Sequence, residues 1–204
     1  MDRYSNFKAL KAEQTEGRDF RVQVAVREEA AVAVIAPHGG AIEPGTSELA
    51  FAIAGEQLSF AIFEGAKVAQ NRDLHITSTN FDEPRCAEVV ALSRTAVAIH
   101  GENSPEETVF AGGADALLRS QLSEALAEAG FTVREHENPN LQGTSRANIC
   151  NRGTSGAGVQ LELSRGLRST LFESLNAAGR ARQTDAFHQF VDAVRQGLIR
   201  AGLL

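Results

Sequence analysis

The chain has 204 residues, of which 43% are apolar and 23% are charged. These values are typical of soluble globular domains and argue against wholesale disorder, and the length favours one domain over two. Twenty Lys and Arg against 26 Asp and Glu leave a net charge of −6, the opposite of the basic surface that nucleic-acid binding usually requires.

The predicted elements begin with a polar segment over residues 1–18, which is expected to form a short helix or an N-terminal arm. Alternating apolar residues predict a half-buried strand over 20–26. The run 31–36 is apolar on both faces, which is typical of a central strand, and it is expected to stop at the Pro-His-Gly-Gly sequence of 37–40. A helix capped by Thr46 or Ser47 should follow and end near Ile53.

The rest of the chain alternates between strand and helix patterns. Further strands are predicted near 57–63, 73–78, 95–99, 108–111, 131–134 and 159–163, and helices from Asp82 to about Arg94, over 114–129 and from Thr184 to the C-terminal end. Residues 136–158 lack periodicity and are expected to form a long functional or mobile loop. The alternation predicts a single-domain α/β fold, an open, mixed and largely parallel sheet with helices on both faces.

Three of the five histidines lie at or near the ends of predicted strands. His38 follows the strand 31–36, His100 follows 95–99, and His75 lies within 73–78. Each one taken singly is best explained as a hydrogen-bonded histidine at a strand end. However, open α/β sheets bind ligands beyond the carboxyl ends of their strands, and His38 and His100 are each followed by glycine. These two histidines are therefore expected to converge.

A carboxylate close to His38 completes a candidate metal site. Glu43 lies five residues further along, across a glycine-containing turn, and His100 would be the third ligand. Two histidines and one glutamate leave a fourth position for water, which is the arrangement of a hydrolytic zinc site. Glu48 is a competing carboxylate, although we expect it in the first turn of the following helix.

A second acidic residue lies in an apolar strand near the end of the sheet. Glu162 shares a strand face with Gln160, so it is either a solvent-facing edge residue or a desolvated carboxylate able to act as a general base. Arginines flank this strand and the preceding loop: Arg146, Arg152, Arg165 and Arg168. They either capture substrate carboxylates or form weak surface ion pairs.

Other chemistries and compartments fit the sequence less well. The three Gly-Thr-Ser triplets lack the second glycine of a G-x-S-x-G nucleophile motif, which disfavours a serine esterase or amidase, and no P-loop motif occurs. Cys86 and Cys150 are expected to be buried thiols. The N-terminus lacks a signal-peptide pattern and the apolar runs are too short for a membrane span. A cytoplasmic protein is therefore expected, with release on cell lysis as a further possibility.

Four segments resemble the poly-γ-glutamate hydrolase family of phages and bacilli, whose members are often labelled phage-related replication proteins. They are PHGGAIEPGTSE at 37–48, LHITS at 74–78, IHG at 99–101 and GVQLELSRGLR at 158–168. The resemblance covers about residues 20–200. It implies a zinc-dependent hydrolase with a carboxypeptidase-like open α/β fold that cuts γ-glutamyl amide bonds, forming a single zinc hydrolase domain over residues 1–204.

The resemblance also implies roles for individual residues. His38, Glu43 and His100 would be the Zn²⁺ ligands, and Glu162 the catalytic general base. The end of the same strand is similar to N-formylglutamate amidohydrolases, which implies that Asn148, Asn151 and Arg152 bind substrate carboxylates. We list with them Arg165, as a second carboxylate-binding arginine, and His75, as either a hydrogen-bond donor in the pocket or a structural residue.

The expected partner is an acidic γ-glutamyl polymer or peptide, with no nucleic acid, no membrane and a monomeric chain. Two alternatives remain beside the zinc-dependent γ-glutamyl hydrolase. One is an amidohydrolase of N-acyl amino acids such as N-formylglutamate. The other is a non-catalytic binding module on the same fold.

Overall fold

A mixed β-sheet forms the centre of the protein, seen here in a computed structural model that describes residues 2–204. Within these residues the sheet has seven strands: β1 (Phe20–Ala25), β2 (Val32–Gly40), β3 (Ser59–Gly65), β4 (Thr95–Gly101), β5 (Val109–Gly112), β6 (Val133–Arg134) and β7 (Val159–Leu163). Their spatial order is β1-β3-β2-β4-β7-β5-β6. The β1–β3 and β5–β7 pairs are antiparallel and the other pairs are parallel. The predicted open, mixed and largely parallel sheet is confirmed.

Helices cover both faces of the sheet. They are α1 (Phe7–Glu13), α2 (Thr46–Ala54), α3 (Pro84–Leu92), α4 (Ala116–Glu128), α5 (Arg165–Leu171), α6 (Ala177–Arg180) and α7 (Asp185–Arg200). Helices α2, α4, α5 and α7 bury their apolar residues in one core cluster, whereas α1 and α3 contribute to the cluster on the opposite face. No helix within residues 2–204 combines the length and apolar character needed to cross a membrane.

Strand β2 lies in the interior of the sheet, where its side chains, which are apolar on both faces, are covered from both sides. Val32 and Val34 belong to one core cluster, and Ala33 and Ile35 to the other. The sequence predicts that this strand stops at the Pro-His-Gly-Gly sequence of 37–40. The strand instead continues to Gly40, with a register shift between Ala36 and Gly39. The shift is a β-bulge with one extra residue in β2, which accommodates the missing N–H of Pro37 and changes the direction of the side chains that follow. Such bulges are often found beside functional sites.

The N-terminal segment packs against the domain rather than forming a free arm. Tyr4, Phe7 and Leu10 are buried, and the ring of Phe7 contacts Phe20 and Phe63 edge-on at 5.7 and 6.3 Å between centroids. Residue 1 of the predicted arm lies outside the described residues. The segment is therefore part of the core on the α1–α3 face.

The strand predicted over 73–78 is wrong. A 3-10 turn occupies Asn71–Leu74, and the chain then runs in irregular extended form. Leu74 and Ile76 are both buried and imitate the alternation of a strand. The backbone N–H of Thr77 donates to the Asp2 carboxylate instead of to a neighbouring strand. The pattern therefore reported burial without sheet pairing.

Helix starts also differ in detail from the sequence prediction. Helix α2 has Gly45 as its N-cap with a left-handed φ of 101°, and no side chain caps it. The Ser47 hydroxyl instead accepts a hydrogen bond from the Gly40 N–H at 2.8 Å. Helix α3 is capped by Glu83 rather than Asp82, whose carboxylate accepts from the Phe7 N–H. Helix α5 was not predicted at all.

Candidate metal centre and adjoining cleft

The carboxyl ends of two neighbouring parallel strands bring two histidines together. His38 lies near the end of β2 and His100 near the end of β4, and their Nδ1 atoms are 3.2 Å apart. Both side chains are 2% exposed. The predicted convergence of these histidines is present because adjacent parallel strands end at the same edge of the sheet.

The turn after β2 directs Glu43 at the same two rings. The Glu43 N–H donates to the His38 carbonyl at 2.8 Å, which closes the turn. Gly40 permits the turn with a φ of 64°, and a Cβ there would lie 2.5 Å from the Gly65 carbonyl oxygen. Glu43 Oε1 lies 3.2 Å from His38 Nδ1, and Oε2 lies 3.7 Å from His100 Nδ1. The three predicted ligands therefore meet in one buried place.

Hydrogen bonds to neighbouring groups orient His38, His100 and Glu43 toward one another. His38 Nε2 lies 2.8 Å from the Ile76 carbonyl, to which it must donate, so in the neutral ring Nδ1 carries no proton. His100 Nε2 lies 3.4 Å from Ser78 Oγ, a hydroxyl that can donate or accept, and His100 Nδ1 faces His38 and Glu43. Glu43 Oε2 accepts from the Gly101 N–H at 2.8 Å. His38 Nδ1, His100 Nδ1 and the Glu43 carboxylate thus converge, and this set of atoms can hold a cation.

The spacing of these atoms fits zinc. Ligand bonds of about 2.0–2.1 Å in a tetrahedral site place the ligand atoms about 3.4 Å apart. The observed separations among His38 Nδ1, His100 Nδ1 and the nearer Glu43 oxygens are 3.2–3.7 Å. Burial opposes ionisation of Glu43, but the two histidines outweigh it and hold the pKa of Glu43 well below its usual value. The donor set therefore matches the chemistry of a zinc site.

A third histidine lies beside this group. The ring of His75 stacks on His38, with centroids 4.0 Å apart, and its Nε2 lies 3.7 Å from Glu43 Oε1. His38, Glu43 and His75 each offer a ligand atom within 4.8 Å of the others. Burial lowers the pKa of His75 to about 4, so the ring is neutral near pH 7. The structure thus places His75 within the candidate metal centre, where it offers a possible donor atom besides those of His38, Glu43 and His100.

The predicted general base lies on the strand next to the one that carries His100. Glu162 on β7 is paired in register with His100 and accepts a hydrogen bond from Gln160 Nε2 at 3.1 Å. The side chains of Gln160 and Glu162 share a strand face, as predicted. This face is not exposed to solvent but is covered by the loop around Leu141, whose carbonyl also accepts a hydrogen bond from Gln160. Burial, and secondarily the negative charge of Glu43, raises the pKa of Glu162 to about 8. Such a group exchanges protons near neutral pH.

These residues open into a cleft made of two adjoining cavities. The first, of about 370 Å³, is lined by the three histidines together with Glu43 and Glu162. The second, of about 440 Å³, is lined by Arg165 and the buried Arg168 among others. Both cavities share Glu43, Arg72, Gly101 and Asn103. The candidate metal centre and an arginine-lined groove are therefore continuous.

The arginines of the cleft have different tasks. Arg165 is exposed within the second cavity, and Arg72, which the sequence analysis missed, lies at the junction with Nη1 3.9 Å from Glu43 Oε1. The position of Arg72 three residues before His75 was the one sequence feature that could have suggested it. Arg168 donates to the carbonyls of Pro44 and Glu102 at 2.7 and 2.8 Å. It therefore ties together the loops that follow β2 and β4.

Two predicted substrate-binding residues do not reach the cleft. Asn151 donates to the carbonyls of Gly143 and Ser145 and accepts from the Gly158 N–H. The Arg152 guanidinium donates to backbone carbonyls of the segments 79–81 and 147. The prediction that they bind substrate carboxylates does not fit this placement, because their polar atoms are engaged in holding the long loop against the domain.

Comparisons with known proteins agree on one family. The family model described as poly-gamma-glutamate hydrolase matches residues 4–193. The SPbeta prophage-derived UPF0714 protein YoqZ of Bacillus subtilis (strain 168) is 35% identical over 192 residues, which is 93% of this chain and 69% of YoqZ. The UPF0714 protein YndL of the same organism is 36% identical, over 95% of this chain and 76% of its own length.

Solved structures agree with this match. A bacteriophage poly-gamma-glutamate hydrolase superposes with a TM-score of 0.95 at 30% identity and covers 99% of both chains. An apo, zinc-free form of YndL gives a TM-score of 0.92 at 34% identity, over 98% of this chain and 99% of YndL. An N-formylglutamate amidohydrolase from Ralstonia eutropha JMP134 has a TM-score of 0.53 over 90% of this chain and 96% of its own, but only 11% identity, so it shares the fold alone. Sequence, fold and the residues gathered at the cleft thus agree, and the chain belongs to the poly-γ-glutamate hydrolase family.

Proposed function

We propose that this protein is a zinc-dependent hydrolase that cleaves γ-glutamyl amide bonds in poly-γ-glutamate or related acidic γ-glutamyl substrates. One observation carries the proposal. Three groups able to bind a metal, His38 Nδ1, His100 Nδ1 and the Glu43 carboxylate, lie 3.2–3.7 Å apart in a buried place at the head of an open cleft. Membership of the family and the zinc-free description of the YndL structure support the same conclusion.

The metal would be held by His38, Glu43 and His100. Zinc, when bound, supplies Lewis acidity, which makes water nucleophilic near neutral pH and polarises an amide carbonyl. The protein orients the donors beforehand, because the Ile76 carbonyl selects the free nitrogen of His38 and the Gly101 N–H fixes Glu43. Such outer contacts typically tune metal affinity and activity.

Glu162 is assigned the proton transfers. Its carboxylate form would take a proton from the attacking water, and the resulting acid would later deliver that proton to the leaving amide nitrogen; a pKa of about 8 keeps both forms accessible near neutral pH. Gln160 holds one oxygen of the carboxylate at 3.1 Å, which leaves the other oxygen for the reacting groups. The position of Glu162 beside His100 on the next strand places this carboxylate in the same cavity as the three ligands.

The arginine-lined part of the cleft suits an acidic substrate. A polyanion approaching a chain of net charge −6 needs a local basic surface, and Arg72 and Arg165 supply one beside the metal centre. Guanidinium groups can bind the free α-carboxylates of a γ-linked glutamate chain in bidentate fashion. Arg165 is thus kept from the sequence prediction as a proposed carboxylate binder, and Arg72 takes the place of Asn151 and Arg152.

Metal analysis joined to an activity assay tests the proposal. The purified protein should contain about one zinc per chain and should hydrolyse γ-linked polyglutamate, but not α-linked polyglutamate or N-formylglutamate. A chelator should abolish the activity, and serine-directed reagents should leave it unchanged. His38→Ala should lose both zinc and activity, whereas His188→Ala, which changes an exposed histidine of α7, should keep both.

Three outcomes would count against this function. Activity that persists without metal would exclude the zinc mechanism. Cleavage of N-formylglutamate alone would favour an N-acyl amino acid amidohydrolase. Zinc binding without hydrolysis of either substrate would favour a binding module.

A further inference from the structure

The N-terminal segment of the chain reaches the metal centre through one side chain. Asp2 Oδ1 lies 2.7 Å from His75 Nδ1, and Asp2 Oδ2 accepts from both the N–H and the hydroxyl of Thr77 at 2.6 Å. Both oxygens of this carboxylate are therefore engaged by the segment that carries His75. No other role assigned above uses Asp2.

The contact decides which nitrogen of His75 faces the cleft. A carboxylate only accepts hydrogen bonds, so His75 Nδ1 must carry the proton that it donates to Asp2. In the neutral ring Nε2 then has a free lone pair, and this atom lies 3.7 Å from Glu43 Oε1. The stacking of His75 on His38 fixes the plane of the ring but leaves the choice of nitrogen to its polar partner.

We propose that Asp2 is a positioning residue of the active site, which holds His75 in the Nδ1-protonated tautomer and so presents the Nε2 lone pair to the cleft. Its catalytic consequence rests on the proposed function, because the lone pair matters only where water or substrate is bound. The hydrogen bond itself can be tested without any activity. Carboxylates that orient a metal-binding histidine in this way commonly change metal affinity or activity about 10- to 100-fold, and we expect an effect of the same size for Asp2.

A purely structural role for Asp2 is the rival explanation, since its bonds to Thr77 also tether the N-terminal segment. The chain offers a matched control for tethering. Arg3 forms ion pairs with Asp73 and Glu13 at 2.9 and 2.8 Å, so Arg3→Ala loosens the same segment without touching the Asp2–His75 contact. The two variants separate orientation of the ring from attachment of the segment.

The ring nitrogens of His75 in metal-free protein provide the direct readout, by ¹⁵N-edited NMR. Wild type and Arg3→Ala should both show protonated Nδ1 and unprotonated Nε2, and Asp2→Ala should lose this single form. Asp2→Leu keeps approximately the shape of the side chain but offers no acceptor, and it serves as a second variant if Asp2→Ala does not fold. Persistence of the Nδ1-protonated ring in both Asp2 variants would overturn the proposal.

A double-mutant cycle provides the catalytic readout. Asp2→Ala should lower kcat/KM about 10- to 100-fold, chiefly through kcat, and should have no more than about a 2-fold effect when His75→Ala is already present. If the effects of Asp2→Ala and His75→Ala on kcat/KM simply multiply in the double mutant, or if Arg3→Ala lowers kcat/KM as much as Asp2→Ala does, then Asp2 does not act through His75. If the wild type hydrolyses nothing, the proposed function fails, while the NMR result still decides the role of Asp2.

Discussion

Replacing Glu162 with glutamine is expected to change activity and stability in opposite directions. The substitution keeps the shape of the side chain and can still accept from Gln160, but it removes the group that transfers protons. The loss of a general acid–base residue typically lowers kcat by about 10²- to 10⁴-fold. Because Glu162 is not among the proposed ligands, the zinc content should stay at the wild-type value.

The gain in stability follows from the pKa of Glu162. Burial raises it from 4.5 to about 8, so the folded metal-free protein holds a proton that the unfolded chain releases at neutral pH. A raised pKa contributes stability below the unfolded value of 4.5, and this contribution is lost as the pH rises towards 8. Relative to low pH, ionisation of Glu162 in the unfolded chain lowers the free energy of unfolding of the wild type by about 3 kcal/mol at pH 7 and by about 1 kcal/mol at pH 5. Glutamine has no proton to release.

Urea unfolding with a chelator present measures this difference. Glu162→Gln should be more stable than wild type by about 3 kcal/mol at pH 7, and the gap should shrink towards pH 5. Glu88→Gln, at an exposed position on α3, is the matched control and should show no such trend. A gap that does not depend on pH would refute the argument from burial. Normal turnover by a zinc-loaded Glu162→Gln would refute its role as general base.

Further predictions concern the groove, its frame and the two thiols. Arg165→Ala should raise KM for polyglutamate about 10-fold with little change in kcat, and added salt should narrow the difference from wild type, as steady-state kinetics would show. Gly101→Ala should lose about 1–3 kcal/mol in urea unfolding, because a Cβ there would lie 2.7 Å from the Arg168 guanidinium carbon. Cys86 and Cys150 should resist iodoacetamide at pH 8 until the chain is unfolded, since burial raises the pKa of Cys150 to about 12 and that of Cys86 well above its usual value; mass spectrometry would detect either adduct.

Local sequence patterns predicted the elements whose apolar residues form a continuous run or recur at a regular spacing. The run that forms β2 is apolar on both faces, and the apolar positions of α7 recur at helical spacing, so each could be recognised without knowing its neighbours. The same reasoning failed at 73–78, because alternate burial of Leu74 and Ile76 resembles a strand even where no partner strand exists. Pairing is a property of two segments and is not encoded in either one.

The convergence of the proposed metal ligands could be predicted because each of them follows a strong strand signal. His38 and His100 end neighbouring parallel strands, and glycines close the turn that carries Glu43. Arg72 carries no such signal, since it lies in a 3-10 turn whose position depends on the chain around it. Asp2 is missed for a related reason, because 73 residues separate it from His75.

The amino-acid order alone determined the α/β class, the family resemblance and the residue types that converge at the strand ends, because hydrophobic periodicity and turn residues act over short stretches of chain. Only the tertiary structure decided which polar groups are free for chemistry. Asn151 and Arg152 look like ligand-binding residues in the sequence, yet their donors are satisfied by backbone carbonyls from distant segments. Arg165 stays available because the fold leaves it exposed along the cleft. Whether a polar side chain binds substrate or supports a loop depends on which acceptors lie within about 3 Å, and long-range packing sets that distance.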